Sequence, residues 1–319
     1  MSLSAVPQEN ETVLPSPPML LSSGRSSLIL SLVLSLFALA PLFYPGYIQT
    51  HFGFIVLWNV ADLRTNWANW GWTPHIAIDF DPVRSDGLLP YYLAALLPFE
   101  PALAIKAVLG ASWLAGNVGM FFWTRRWFEP AGALIAALIY TYLPYQIATV
   151  YVRGAVGETL FLGLLPWALG IGVWLNERHP RSARTGFILA ALVWLALGLS
   201  HLGLTWWAFV FVALWLWFTS HRQALWPTLT NLLGVILATI TSFSILAASP
   251  LAPSPLALTD HFLYPFQLLS AFWGFGPSRP GWDDGMSFQV GLAALGLALL
   301  TLLHGAGWTK HLPRSSAAV

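Results

Sequence analysis

The 319-residue sequence contains no cysteine. Disulfides, zinc-thiolate sites, iron–sulfur clusters and cysteine nucleophiles are therefore excluded. Charge is nearly as scarce. Only 8% of the residues are Asp, Glu, Lys or Arg, where an ordinary soluble domain carries about 25%. Fourteen basic and 13 acidic side chains cannot clothe a chain of this length in a water-facing shell. A soluble globular protein, a coiled coil and a disordered chain all fail on that ground. The near-zero net charge argues neither way on nucleic acid, and no nucleic-acid partner is expected. A Gly-rich phosphate loop of Walker type is also missing.

What is present is hydrocarbon. Fifty-seven per cent of the residues are hydrophobic, with 18 Trp and 20 Phe. The apolar runs are continuous, whereas membrane barrel strands alternate apolar and polar residues with period two. The sequence predicts an all-α polytopic membrane protein with about eight transmembrane helices. The runs lie at 28–44, 101–123, 131–147, 158–175, 185–200, 203–219, 228–248 and 287–304. The first is long for a signal peptide and lacks a small-x-small cleavage site, so it reads as an uncleaved span. The transmembrane module covers 26–304, flanked by Ser- and Pro-rich residues 1–25 and by 305–319, both read as cytoplasmic tails.

Basic residues orient the spans. With both termini inside, Arg25, Arg125, Arg126, Arg178, Arg181, Arg184, Arg222, Lys310 and Arg314 are cytoplasmic. Arg64, Arg84, Arg153 and Arg279 fall outside. That excess follows the positive-inside rule and supports this orientation; a plasma (inner) membrane location is expected. The acids sort oppositely: Asp62, Asp79, Asp81, Asp86, Glu100, Glu158, Asp260, Asp283 and Asp284 fall outside. Either an outer active site gathers them, or only the outer loops, about 45–100 and 250–286, are long enough to hold polar residues. The cytoplasmic connections are too short for a nucleotide-binding site.

In the first outer loop, Phe54 to Trp70 reads as an interfacial helix. Val56, Val60, Leu63, Trp67 and Trp70 form an apolar stripe, with Asn59, Asp62, Asn66 and Asn69 beside it. The polar stripe faces a substrate cavity or water. Asp79-Phe80-Asp81 follows. On an extended segment two carboxylates at i and i+2 point the same way. They can share a divalent cation, Mg²⁺ or Mn²⁺, or leave one as a general base. The alternative is a solvated turn before Pro82.

Tyr151-Val152-Arg153-Gly154, with Glu158 four residues on from the glycine, places an ionic pair of residues at the membrane boundary. A charge there should face the bundle interior or a cavity. Arg153 can grip a lipid-linked phosphate with its planar fork, or it can pair structurally with Glu158, or both. His201 lies between two spans, either at the site or as a helix-end residue. The loop from Ser270 to Gly285 carries Phe272, Trp273, Phe275 and Trp282 among glycines. Such rings suit a sugar's C–H faces or anchor the chain at the membrane interface.

Several stretches together carry a resemblance: Pro90-Tyr91-Tyr92-Leu93, Leu143-Pro144-Tyr145, Tyr151-Val152-Arg153-Gly154 with Glu158, Ser200-His201-Leu202, and Phe272-Trp273-Gly274 with Met286-Ser287-Phe288-Gln289. From about Pro45 to Leu300 the chain resembles the bacterial membrane proteins called 6-pyruvoyl-tetrahydropterin-synthase-related, which look like part of the GT-C glycosyltransferase class. The resemblance implies transfer of a sugar from a polyprenyl-phosphate carrier to a glycan, lipid or protein acceptor at the outer face. It implies a first outer loop with interfacial helices and an acidic general base or metal ligand. It makes Asp79, Asp81 and Asp62 the catalytic candidates, Asp79 and Asp81 the metal ligands, and Arg153, Glu158, His201, Tyr92 and Trp273 the substrate-binding candidates.

The departures are specific. Thr50-His51-Phe52-Gly53-Phe54-Ile55-Val56 stands where the resembling proteins carry an Asp, at Phe52, and a His, at Val56. Phenylalanine neither takes a proton nor binds a metal. A degenerate, non-catalytic relative acting as a scaffold or lipid-glycan binder is the alternative. A transporter ranks third, because no inverted repeat is evident.

Overall fold

Helix α1, Gly24–Leu39, turns the usual rule of burial around. Ser27, Ser31 and Ser35 recur every fourth residue and are completely enclosed, while Ile29 and Phe37 are 62% and 71% exposed. The hydroxyls point at helices α4, Pro101–Thr124, and α5, Pro130–Thr141. Ser31 Oγ donates to Asn117 Oδ1 at 2.9 Å, and Asn117 Nδ2 donates to Thr141 Oγ1 at 2.9 Å. Trp113 Nε1 donates to the Thr141 carbonyl at 2.9 Å. Polar groups inside and hydrocarbon outside suit a lipid solvent, where interhelical hydrogen bonds are the glue.

This computed structural model describes residues 23–47, 49–67, 87–177, 183–220, 225–246, 263–270, 274, 276, 279, 281–282 and 284–308. Among the described residues the chain is helical, with no strand. After α1 come two short helices of the first long connection, α2, Ile55–Thr65, and α3, Leu89–Leu96. Past α4 and α5 lie α6, Pro144–Ile147, a π-helical turn, Ala148–Arg153, and α7, Val156–Glu177. Then follow α8, Ala183–Ser200, α9, Leu202–Ser220, and α10, Leu225–Leu246. The short α11, Pro265–Leu269, precedes α12, Leu292–Trp308.

Each of the eight apolar runs carries a helix. Among the described residues, two helices are long and apolar enough to cross a membrane, Gly24–Phe43 and Pro101–Thr124. A third qualifies if Pro130–Thr141 and Pro144–Arg153, bent by 43°, count as one span. Four shorter apolar helices accompany them: Val156–Gly172, Thr185–Ser200, Leu202–Phe218 and Thr228–Thr241. The predicted continuous span 131–147 is broken. Pro144 has no amide to donate and fixes its own φ, so it starts a new helix rather than extending α5.

The bundle is held where α4 crosses α7, with α5 alongside. Pro166 lies inside α7 and leaves the carbonyl four residues earlier, that of Leu162, without its helical donor. Tyr140 on α5 donates its hydroxyl to that carbonyl at 2.6 Å. Trp167 Nε1 donates to the Ala115 carbonyl of α4 at 3.0 Å. A second core joins α7 to α8, α9 and α10 through Phe161, Trp194, Leu197, Val212, Leu216 and Val235. Trp194 Nε1 donates to Asn231 Oδ1 at 3.0 Å.

The expected interfacial helix from Phe54 to Trp70 ends earlier, at Thr65. Thr65 Oγ1 donates to the Asp62 carbonyl at 2.8 Å, and Asn66 Nδ2 to Asp62 Oδ1 at 2.9 Å. Short polar side chains that bond the nearby chain compete with the helical ladder. The apolar stripe is borne out as far as it runs: Val56, Val60 and Leu63 are fully buried. The polar stripe splits, because Asn59 is buried as well. Arg64 reaches the end of α3, donating to the Leu97 carbonyl at 2.9 Å and to the Phe99 carbonyl at 2.7 Å. A guanidinium there satisfies carbonyls at a helix C-terminus and opposes its dipole.

Candidate functional site

The site is built where the π-helical turn ends. Gly154 follows Arg153 in the left-handed region, at φ +70°. A Cβ at this position would also lie 2.2 Å from Thr50 Oγ1, so glycine is demanded twice. The close approach lets the first long connection pair with the turn. His51 N donates to the Val152 carbonyl at 2.9 Å, and Phe52 N to the Arg153 carbonyl at 3.1 Å. On the other side Gly87, at φ +76°, packs so tightly that a Cβ would sit 1.9 Å from the Ser200 carbonyl oxygen. The next amide, Leu88 N, donates to the Leu199 carbonyl at 2.8 Å. Both described parts of the first long connection are thus fastened by backbone to the bundle.

Arg153 and Glu158 form an ion pair, Nη1 to Oε2 at 2.5 Å. The carboxylate is buried, whereas the arginine side chain is 31% exposed. Tyr145 donates its hydroxyl to Glu158 Oε1. Glu158 occupies the first turn of α7, where the positive end of the helix dipole favours an anion. A buried carboxylate therefore fixes an arginine that still reaches the surface.

His201 lies between α8 and α9 and accepts from Leu204 N through Nδ1 at 3.2 Å. It serves as the N-cap of α9, a role in which Nδ1 must be unprotonated. Burial lowers its pKa below the ordinary value, the Arg153 charge lowers it further, and a backbone hydrogen bond opposes the shift. The imidazole is thus held neutral and close enough to Arg153 to feel its charge.

The structure therefore pairs Arg153 with Glu158 and leaves His201 within electrostatic range of Arg153. Tyr92 lies elsewhere on the first connection: its hydroxyl donates to the Trp67 carbonyl at 3.2 Å, and the two rings meet edge to face at 4.8 Å. Burial raises the Tyr92 pKa. Asp62 is engaged by Asn66 within its own turn of chain. Asp79, Asp81 and Trp273 lie outside the described residues. Among the described residues no three His, Asp or Glu side chains gather to hold a metal. Tyr145 is the member that sequence reasoning missed as a site residue. Its motif was visible, but only the bend at Pro144 turns its hydroxyl toward Glu158.

No protein-family model, curated protein or solved structure matches this chain.

Proposed function

We propose that the protein is a membrane glycosyltransferase of GT-C type, spanning the plasma membrane about eight times with both termini cytoplasmic. It takes a sugar from a polyprenyl-phosphate-linked donor at the outer face and passes it to a glycan, lipid or protein acceptor. The observation that carries this reading is the Arg153 fork, partly exposed and backed by buried Glu158. Guanidinium planes match phosphate oxygens in pairs. In this reading Arg153 holds the carrier phosphate as it leaves, stabilising the charge that develops there. Asp79 or Asp81 deprotonates the acceptor and would hold any divalent ion, with Asp62 the third acidic candidate.

A second reading has its own support. Phe52 packs against the apolar cluster formed by α1, α2, α3 and α4 through Leu39, Val60, Tyr91 and Ile105, and Val56 is buried in it. Both stand where the resembling proteins carry Asp and His. Apolar side chains there favour a non-catalytic relative that scaffolds a membrane complex or binds lipid-linked glycan.

Proteoliposomes given radiolabelled polyprenyl-phosphate sugars separate the two, with and without Mg²⁺ or Mn²⁺. The transferase reading expects sugar release by the native chain, lost in Asp79→Asn/Asp81→Asn and weakened in Arg153→Ala. Donor lipid that binds but is never turned over across a broad panel of sugars selects the second reading.

A further inference from the structure

Helix α2 buries a polar side chain that bonds to nothing. Val56, Asn59, Val60 and Leu63 recur at helical spacing along its inner face, and all four are fully enclosed. The three apolar ones belong to the cluster of α1, α2, α3 and α4. Asn59 Oδ1 and Nδ2 are both buried, and neither finds a hydrogen-bond partner among the described residues. The enclosed Ser31 differs, because it is paired with Asn117. A buried amide without a partner is a standing penalty on the packed state. The penalty lifts when the helix leaves the cluster and water reaches the amide.

The fastenings of α2 suit such a movement. Upstream, the His51 and Phe52 amides hold the chain to the π-helical turn. Gly53 follows in the left-handed region, at φ +56°, and its amide closes a turn onto the Thr50 carbonyl at 2.9 Å. Helix α2 starts two residues later. At its far end, side chains tie it to α3. The exposed Arg64 donates to the Leu97 and Phe99 carbonyls and, at 3.3 Å, to that of Ala95. The Tyr92 hydroxyl donates to the Trp67 carbonyl. Helix α3 is itself fixed to the bundle by the Leu88 amide on the Leu199 carbonyl.

We propose that α2 is a lid, hinged at Gly53 and latched by Arg64, which Asn59 biases toward opening. A few residues at the end of an element can absorb the change in backbone angles that such a swing requires. Opening uncovers a cleft walled by Tyr91, Ile105 and Val150, which lie in the same cluster. Val150 belongs to the π-helical turn that ends in Arg153, so the cleft opens beside that turn. The proposal rests on the packing and fastening of α2 and does not depend on the transferase reading. A water molecule trapped against Asn59 would instead make the amide a favourable part of the closed state, and the two cases respond oppositely to removal of the amide.

The test uses the full chain in lipid nanodiscs. The chain has no cysteine, so Val60→Cys puts a single thiol on the buried face of α2. Ala190→Cys puts one in the second core, at a position 1% exposed, and reports wholesale unfolding. A small water-soluble thiol reagent is expected to label Val60→Cys about tenfold faster than Ala190→Cys, or more. Adding Asn59→Leu should slow the labelling of Val60→Cys about tenfold, the worth of one buried unpaired polar group, and should raise the thermal midpoint. Adding Arg64→Gln should speed it. Amide hydrogen exchange over Ile55–Thr65 in the native chain reads the same opening with no substitution, and should be faster than exchange in the middle of α4. Equally slow labelling of the two cysteines, with α2 amides as protected as those of α4, overturns the lid. Asn59→Leu that lowers the thermal midpoint and leaves labelling as fast as before overturns the part given to Asn59.

Discussion

Glu158 is a buried carboxylate with two named supports, the Arg153 guanidinium and the Tyr145 hydroxyl. Removing one partner of a buried pair strands the other, typically at about 3–5 kcal/mol. Arg153→Ala should therefore lower the thermal midpoint in detergent strongly. The double variant Arg153→Ala/Glu158→Gln should recover much of the loss, because the stranded charge is gone and an acceptor remains for Tyr145. Equal destabilisation of single and double variants would show that the loss does not come from a stranded carboxylate. From sequence alone Arg153 and Glu158 could be put at the boundary and weighed as partners, because a five-residue offset near a helix start is short enough to close. Tyr145 could not be assigned. Its approach to Glu158 depends on a 43° bend that no local spacing announces.

Helix α7 carries a proline in its interior and remains a helix because α5 repairs it. The Tyr140 hydroxyl replaces the missing amide on the Leu162 carbonyl. Tyr140→Phe should cost about 1–3 kcal/mol, the usual penalty for an unsatisfied buried group, and toward the low end in lipid. In a Pro166→Ala background the helix supplies its own donor, so the same substitution should be close to neutral. Denaturation of the four proteins in detergent reads this directly, and an undiminished effect in the Pro166→Ala background would refute it. The helices themselves were legible, because long apolar runs leave few alternatives. Their ends were less so. The run at 131–147 looked continuous, since its hydrophobicity is unbroken across Pro144, and α2 ended before Trp67 because Thr65 and Asn66 bond back to Asp62.

At the scale of the whole molecule, composition made the membrane assignment, and the burial pattern agrees with it. Trp207, Phe211 and Phe218 of α9 face outward while Thr205 is fully enclosed. Sidedness can be tested without background, because the chain has no cysteine. Single cysteines placed by Trp282→Cys and Arg126→Cys should differ in intact cells. A membrane-impermeant thiol reagent is expected to label the first and spare the second, and the reverse pattern would invert the topology. The serine stripe of α1 has a further consequence, which lies in time. Its partners Asn117 and Thr141 stand 86 and 106 residues downstream of Ser31 and Ser35. At about 5–20 residues per second, the ribosome delivers them several seconds to tens of seconds after α1. Through that interval the hydroxyls have only their own helix to bond, as Ser35 does to the Ser31 carbonyl at 2.8 Å. The nascent chain thus carries a lateral adhesive strip in the bilayer, open to any passing polar helix until its own fourth and fifth helices arrive.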